Sequence, residues 1–416
     1  MTLFFKHLIS AGLPKTAAKH CRAGAGTLVL AGCLAAPGTA NAAEAPDLKA
    51  LLAERYAPFA AEPEALVRDL EPLPEITRYW RSPEELRAAR TEQPAQLSAP
   101  QPLSDGRLKK GKINPESGGL LPEELVVAID PGHIGGKWAE YEGRSFQAAA
   151  DDFPVREGDL VLEVARLLRT RLESYGAEVA LLRESAAPVN PKPPISYLRE
   201  VLAHMGPPEE LSYRTLAEYI KSACEQATRK AILTEELQER ARRINEVIRP
   251  DVAISLHINA VPWPAEGERR LSDSNHAHVL IFGCLTESEL EKKAHRQALG
   301  IKLANGSGPP ELELGAAVAR ELARATGLPP TVYGGKNAVL PKPEMPYLWA
   351  RNLLLLREVR CPILFTEPYV ANGKTAYARL QAALAARNTG KSPPEDDILV
   401  EYAEAVAAGI LTVYGE

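Results

Sequence analysis

Three short apolar runs in this chain each lead into an ionisable side chain, and this pattern restricts the fold more than any other feature. Leu125–Asp130 (LVVAID) runs into Pro131-Gly132-His133, Asp251–His257 (DVAISLH) closes on His257, and Ile363–Glu367 (ILFTE) closes on Glu367. Continuous apolar runs with β-branched residues mark strands buried on both faces, hence a largely parallel sheet covered by helices on two sides. Open parallel sheets place ligands at the carboxyl ends of their strands. If the three runs are parallel neighbours, their terminal side chains converge on one crevice.

The segments between them fit that architecture. Asp159–Tyr175 (DLVLEVARLLRTRLESY) carries apolar residues at helical spacing, Gly176 stops it, and Glu178–Arg183 (EVALLR) reads as the next strand. A strand-helix-strand unit favours parallel pairing. Residues 185–248 form an insert, a proline-bearing loop followed by strongly helical sequence. His278–Gly283 (HVLIFG) is a further strand, with helices at about 286–303, 311–326, 374–387 and 395–413. The expected fold is α/β, a three-layer sandwich with a mostly parallel sheet between helices, over residues 124–416. Residues 43–95 suggest a small helical N-terminal extension, and the Pro-, Ser- and Gly-rich residues 96–123 a linker.

Residues 1–42 read as an export signal. Lys15, Lys19 and Arg22 precede the apolar run Gly26 to Ala36, Pro37-Gly38 breaks it, and Ala40-Asn41-Ala42 supplies a small-x-small cleavage pattern. The competing reading is a lipoprotein box, Leu30-Ala31-Gly32-Cys33, which would leave Cys33 lipidated. Both readings place the mature chain outside the cytoplasm, periplasmic or cell-wall associated, and no later apolar run is long enough to cross a membrane. The formal net charge of -5 offers no basic field for nucleic acid. Cys224, Cys284 and Cys361, the cysteines beyond the signal, lack the paired spacing of a disulfide scaffold or zinc ribbon.

A fourth ionisable group, Glu157, stands just before the helix that leaves the first strand. Two imidazoles and a carboxylate suit a catalytic zinc, because such a set leaves one position open for water. Zinc also lowers the pKa of that water. Hydrolysis then needs a further carboxylate to move protons, and Glu367 is the candidate. Each piece alone has an ordinary reading: a strand-ending turn for Asp130-Pro131-Gly132-His133, a hydrogen-bonded core histidine for His257, a helix-terminus charge for Glu157. Glu367 resists that treatment, since a buried carboxylate must be paired or functional. A serine hydrolase is disfavoured by the lack of a Gly-x-Ser-x-Gly elbow.

Taken in order, VVAIDPGH (126–133), EGDLVLEVARLLRTRLESYGAEVALLRES (157–185), RARRINEVIRPDVAISLHINA (240–260) and LREVRCPILFTEPYVANG (356–373) resemble the zinc-dependent N-acetylmuramoyl-L-alanine amidase family of cell-wall hydrolases. The resemblance implies Zn2+ held by His133, Glu157 and His257, with Glu367 as the catalytic carboxylate and peptidoglycan as the substrate. Asn259 matches a position near the second histidine, with a structural or substrate-facing role, and Arg357 a basic, mainly structural position. The residues after His133 (Ile134-Gly135-Gly136-Lys137-Trp138) depart from the family's usual glycine and acidic residue. In some relatives a helix blocks the zinc until a protein activator removes it. Residues 285–305 occupy a comparable place, with Glu287, Glu289 and Glu291 as conceivable blocking carboxylates beside the plainer reading of a solvated helix. His276 and His278 are expected at the surface, the alternative being that they tune substrate binding. Two alternatives stay open: a zinc peptidase cutting within the stem peptide, and a non-catalytic wall-binding protein keeping the fold.

Overall fold

Alternation of side chains along the apolar runs decides the layering. In a strand, successive side chains leave on opposite faces. Val127 and Ile129 enter one core with Ile254, Val279 and Leu364, whereas Ala128 enters a second with Ala253, Leu280 and Phe365. Both faces of the sheet are therefore buried, as continuous apolar runs require. The computed structural model describes residues 47–92, 120–122, 124–208, 212–264 and 269–415. The signal (1–42), Cys33 and most of the 96–123 segment lie outside the described residues.

Six strands make the sheet: β1 (Val126–Pro131), β2 (Glu178–Leu181), β3 (Val252–Leu256), β4 (Ala277–Phe282), β5 (Leu348–Arg351) and β6 (Ile363–Pro368). Their order across the sheet is β2-β1-β3-β6-β4-β5. β2, β1, β3 and β6 run parallel; β4 pairs antiparallel with β6, and β5 parallel with β4. The α/β sandwich with a mostly parallel sheet is thus as expected, with two strands at one edge reversed. β5 has no counterpart in the sequence reading. Its four residues end in Arg351, too short a run to stand out from the loop around it.

One face is covered by α1 (Glu157–Ser174), α2 (Gly308–Thr326) and α3 (Ile398–Tyr414). α3 is apolar nearly all round because it packs against both other helices, the signature of a buried helix. A side chain at Gly409 would put its Cβ 2.6 Å from the Val318 backbone, so α3 and α2 approach closely there. No helix among the described residues is long and apolar enough to cross a membrane.

The second face is covered by α4 (Glu235–Arg242), α5 (Lys293–Asn305) and the N-terminal helical segment. Leu52, Tyr56 and Trp80 of that segment are buried in the same core as Phe282 and Leu299. Arg55 is anchored beneath it, donating to the Phe282 carbonyl at 2.8 Å, to the Gly308 carbonyl at 2.7 Å and to Glu311 Oε2 at 2.5 Å. Residues 46–416 form one compact unit. The N-terminal helices are docked on the sheet through this core. Cys224, Cys284 and Cys361 are free thiols.

Candidate metal centre

The ends of β1 and β3 are adjacent, since Pro131 pairs with Leu256 in parallel register. His133 and His257 therefore emerge side by side, with ring centroids 5.0 Å apart. Glu157 opens α1, where a carboxylate is favoured by the positive end of the helix. Its Oε2 is 3.4 Å from His133 Nε2 and its Oε1 is 3.1 Å from His257 Nδ1. One ligand atom from each of His133, Glu157 and His257 lies within 4.8 Å of the others. These residues are two dozen and a hundred positions apart in the chain, and β1, α1 and β3 bring them together.

Each histidine is held by groups that do not themselves face the cluster. His133 Nδ1 meets Glu142 Oε1 at 3.2 Å, and Glu142 Oε2 accepts the Ile134 backbone N–H at 2.7 Å. A carboxylate on the far ring nitrogen fixes the tautomer and leaves Nε2 to bind, a common support for metal-ligating histidine. The His133 backbone has φ of 52°, in the left-handed region, and the turn is braced by two buried guanidiniums. Arg240 donates to the His133 carbonyl at 2.7 Å, the Pro131 carbonyl at 2.8 Å and Asp130 Oδ1 at 2.8 Å; Arg183 donates to the Pro131 and Gly132 carbonyls at 3.0 and 3.1 Å. The His257 ring stacks on Phe365 at 3.8 Å. The ring also abuts Gly132, where a Cβ would fall 2.2 Å from Nε2. Only glycine leaves room for that ring.

The electrostatics follow from burial and pairing. Burial would raise the Glu157 carboxyl, but His133, His257 and Arg144 outweigh it and hold the group at about 2. Burial works against protonated His133, yet Glu157 and Glu142 raise its pKa above the ordinary value. Burial and the neighbouring charge of Arg240 pull Arg183 down to about 10. Beside Glu157 opens a cavity of about 340 Å³ lined by Arg144, Phe146, Trp263, Arg269 and Asn372 among others. Arg269 lies over the Trp263 ring at 5.0 Å, and Phe146 meets the same ring edge-on.

A family model described as N-acetylmuramoyl-L-alanine amidase matches residues 127–383. The chain belongs to that family. Among solved structures, an N-acetylmuramyl-L-alanine amidase from Mycobacterium smegmatis is 18% identical, with a TM-score of 0.38 over 70% of this chain and 96% of its own. An amidase from Clostridioides difficile, solved in complex with the GerS lipoprotein, is 16% identical, with a TM-score of 0.38 over 70% and 98%. A second amidase, from Clostridium difficile, is 14% identical, with a TM-score of 0.37 over 70% and 96%. No curated protein matches the chain. The family's chemistry is hydrolysis of an amide in peptidoglycan.

Within this amidase chain Glu367 stands outside the three-residue cluster, near the end of β6. The reversed direction of β4 sets His278 directly opposite it. His278 is buried, with Nε2 3.3 Å from Glu367 Oε2, so the surface placement expected for it is wrong, while His276 is half-buried. Sequence carried no sign of this, because it depends on β4 running antiparallel to β6. Glu142 was missed as well; it lies just past the stretch that departs from the family pattern. Asn259 uses its backbone carbonyl to accept from Ala371 N at 2.7 Å. Arg357 donates to Asn352 Oδ1 at 2.8 Å.

The same reversal bears on residues 285–305. They leave β4 at the end that faces the start of β6, whereas His133 and His257 lie at the opposite ends of β1 and β3. Glu289 is engaged in capping its own helix at Thr286. Glu287, Glu289 and Glu291 are therefore not placed to block the cluster, which weighs against the blocking-carboxylate alternative for this segment.

Proposed function

We propose that this protein hydrolyses the amide bond between N-acetylmuramic acid and the L-alanine of the stem peptide, with Zn2+ held by His133, Glu157 and His257 and with Glu367 as general base and acid. The observation that carries the reading is the meeting of two imidazoles and a carboxylate within 4.8 Å at adjacent strand ends. The donor set fits zinc: it is borderline in softness, supplies three protein ligands, and has its far nitrogen on His133 already engaged by Glu142. When bound, zinc would polarise the lactyl carbonyl as a Lewis acid and lower the pKa of water.

The remaining work falls to the chain. Glu367 takes the proton from the attacking water and returns it to the departing L-alanine nitrogen. Burial works against the charged carboxylate, but His278 and His257 overcome this and hold its pKa below the ordinary value, so it is ready as a base. The cavity beside Glu157 offers the aromatic faces of Phe146 and Trp263 and the guanidiniums of Arg144 and Arg269 to the groups flanking the scissile bond.

The test is mass spectrometry of products from purified sacculi. Release of stem peptides with a free L-alanine amine supports the amidase reading; cleavage within the stem gives the zinc-peptidase alternative. Glu367→Gln should keep bound zinc yet lose roughly 10²- to 10⁴-fold in rate, the usual contribution of general acid–base catalysis. A chain that binds sacculi without zinc or products would be the wall-binding alternative. On the same reading, residues 1–42 are an export signal, 96–123 a linker and 124–416 the catalytic domain of a periplasmic or wall-associated protein. The mass of the mature N-terminus separates cleavage after Ala42 from lipidation at Cys33.

A further inference from the structure

Glu367 needs a fixed direction to move a proton between water and amine, and its own strand does not supply one. It is one-fifth exposed, at the end of β6 beside the end of β3 that leads into His257. What meets it is a fully buried imidazole. His278 Nε2 lies 3.3 Å from Glu367 Oε2 across the antiparallel β4/β6 pair. Directly opposed residues of such a pair share a face and are close enough for their side chains to interact.

His278 is in turn immobilised. Its Nδ1 is 2.7 Å from Thr331 Oγ1, which is 2.6 Å from His276 Nδ1. The Tyr333 hydroxyl is 3.0 Å from His278 Nε2, its ring packs edge-on against the imidazole, and Arg351 donates to that hydroxyl at 3.4 Å. A threonine hydroxyl carries one proton. If Thr331 donates it to His278 Nδ1, Nε2 carries the ring proton. In that tautomer the Nε2–H is shared between the Tyr333 hydroxyl and Glu367 Oε2, and it is the arrangement in which the imidazole donates to the carboxylate.

We propose that His278 is a positioning residue for Glu367: locked by Thr331 and Tyr333, its imidazole holds the carboxylate in the one orientation that serves proton transfer in the crevice. This rests on the hydrolytic reading above. His278 touches no substrate; it acts through Glu367. The cost of losing the contact lies in orientation, where a misplacement near 1 Å costs up to about 10²-fold in rate.

The zinc-loaded full chain, assayed on a soluble muropeptide carrying the muramoyl-L-alanine bond, tests this. His278→Leu should lower kcat roughly 10- to 100-fold with KM and zinc content unchanged, and His278→Gln, whose amide N–H can still donate, should recover most of that loss. Unchanged kcat in His278→Leu overturns the proposal, as does a Gln variant no better than Leu. Should His278→Leu fail to fold, Thr331→Val decides. It removes the Nδ1 partner without removing the imidazole and should lower kcat several-fold at constant KM, and an unaltered kcat there overturns the proposal. Glu367→Gln is the control on the reading beneath. If it retains full activity, the acid/base assignment itself fails; if it is inactive while His278→Leu keeps its kcat, only the positioning role fails.

Discussion

Gly132→Ala perturbs the centre through a single methyl group. Gly132 lies outside the left-handed backbone region, so alanine meets no conformational penalty there, only a steric one. The added Cβ would fall 2.2 Å from His257 Nε2, 2.3 Å from Cε1 and 2.6 Å from the Leu256 carbonyl oxygen. Ordinary van der Waals contact begins near 3.4 Å, so the ring must retreat by about 1.2 Å. It cannot swing freely, because it is stacked on Phe365 at 3.8 Å. The Gly132 N–H is also tied to the Leu256 carbonyl at 2.9 Å, which resists movement of the turn. Metal–ligand distances tolerate only about 0.2 Å, so on the proposed zinc assignment a shift of this size would take His257 out of the ligand set. Overpacking of a closed core adds a stability cost of about 1–3 kcal/mol. The expected outcome is a folded protein whose zinc affinity, measured by competition with a chromophoric chelator, falls by at least 10²-fold, about 2.7 kcal/mol or more. A Gly132→Ala protein with unaltered zinc affinity and activity would refute the packing argument, because no other contact at this position carries it.

Arg240→Met should cost about 3–5 kcal/mol in urea unfolding, because it leaves Asp130 and Glu236 buried without their partner. Burial would raise Glu157, but its histidine and arginine neighbours depress it to about 2, below the ordinary 4.5. Its contribution to the stability of metal-free protein is therefore fully present above pH 4.5 and lost as pH falls through 2; acid unfolding followed by circular dichroism should show that loss, and Glu157→Gln should flatten it. Adding zinc to chelator-stripped protein should raise the Tm, with about 2.7 kcal/mol of stabilisation at a free concentration 100 times Kd, and His133→Ala should abolish that response in differential scanning calorimetry.

How much of this was legible in the sequence differs from residue to residue. His133, His257 and Glu367 could be found because each follows a strand whose apolar run is visible by itself, and Glu157 because it opens a helix with a clear period. The family resemblance supplied the roles proposed for them. His278 was not legible: its neighbours form the same kind of strand as the others, and nothing in a periodicity reports strand direction. Glu142 was hidden because it supports His133 through a loop rather than a repeating element. Arg240 and Arg183 read as ordinary charges on a helix and after a strand, and only the tertiary structure buries them beneath the His133 turn.

By itself the sequence determined most of the long strands and helices, though not the short β5, and that ionisable groups lie at strand ends. These are properties of local periodicity, and local periodicity survives in one dimension. Strand order and direction are set by how side chains from distant segments fill two shared cores, so they exist only once the chain has folded. That is why the reversal of β4 could be known only from the structure. It alone brings His278 against Glu367 and carries residues 285–305 away from His133 and His257.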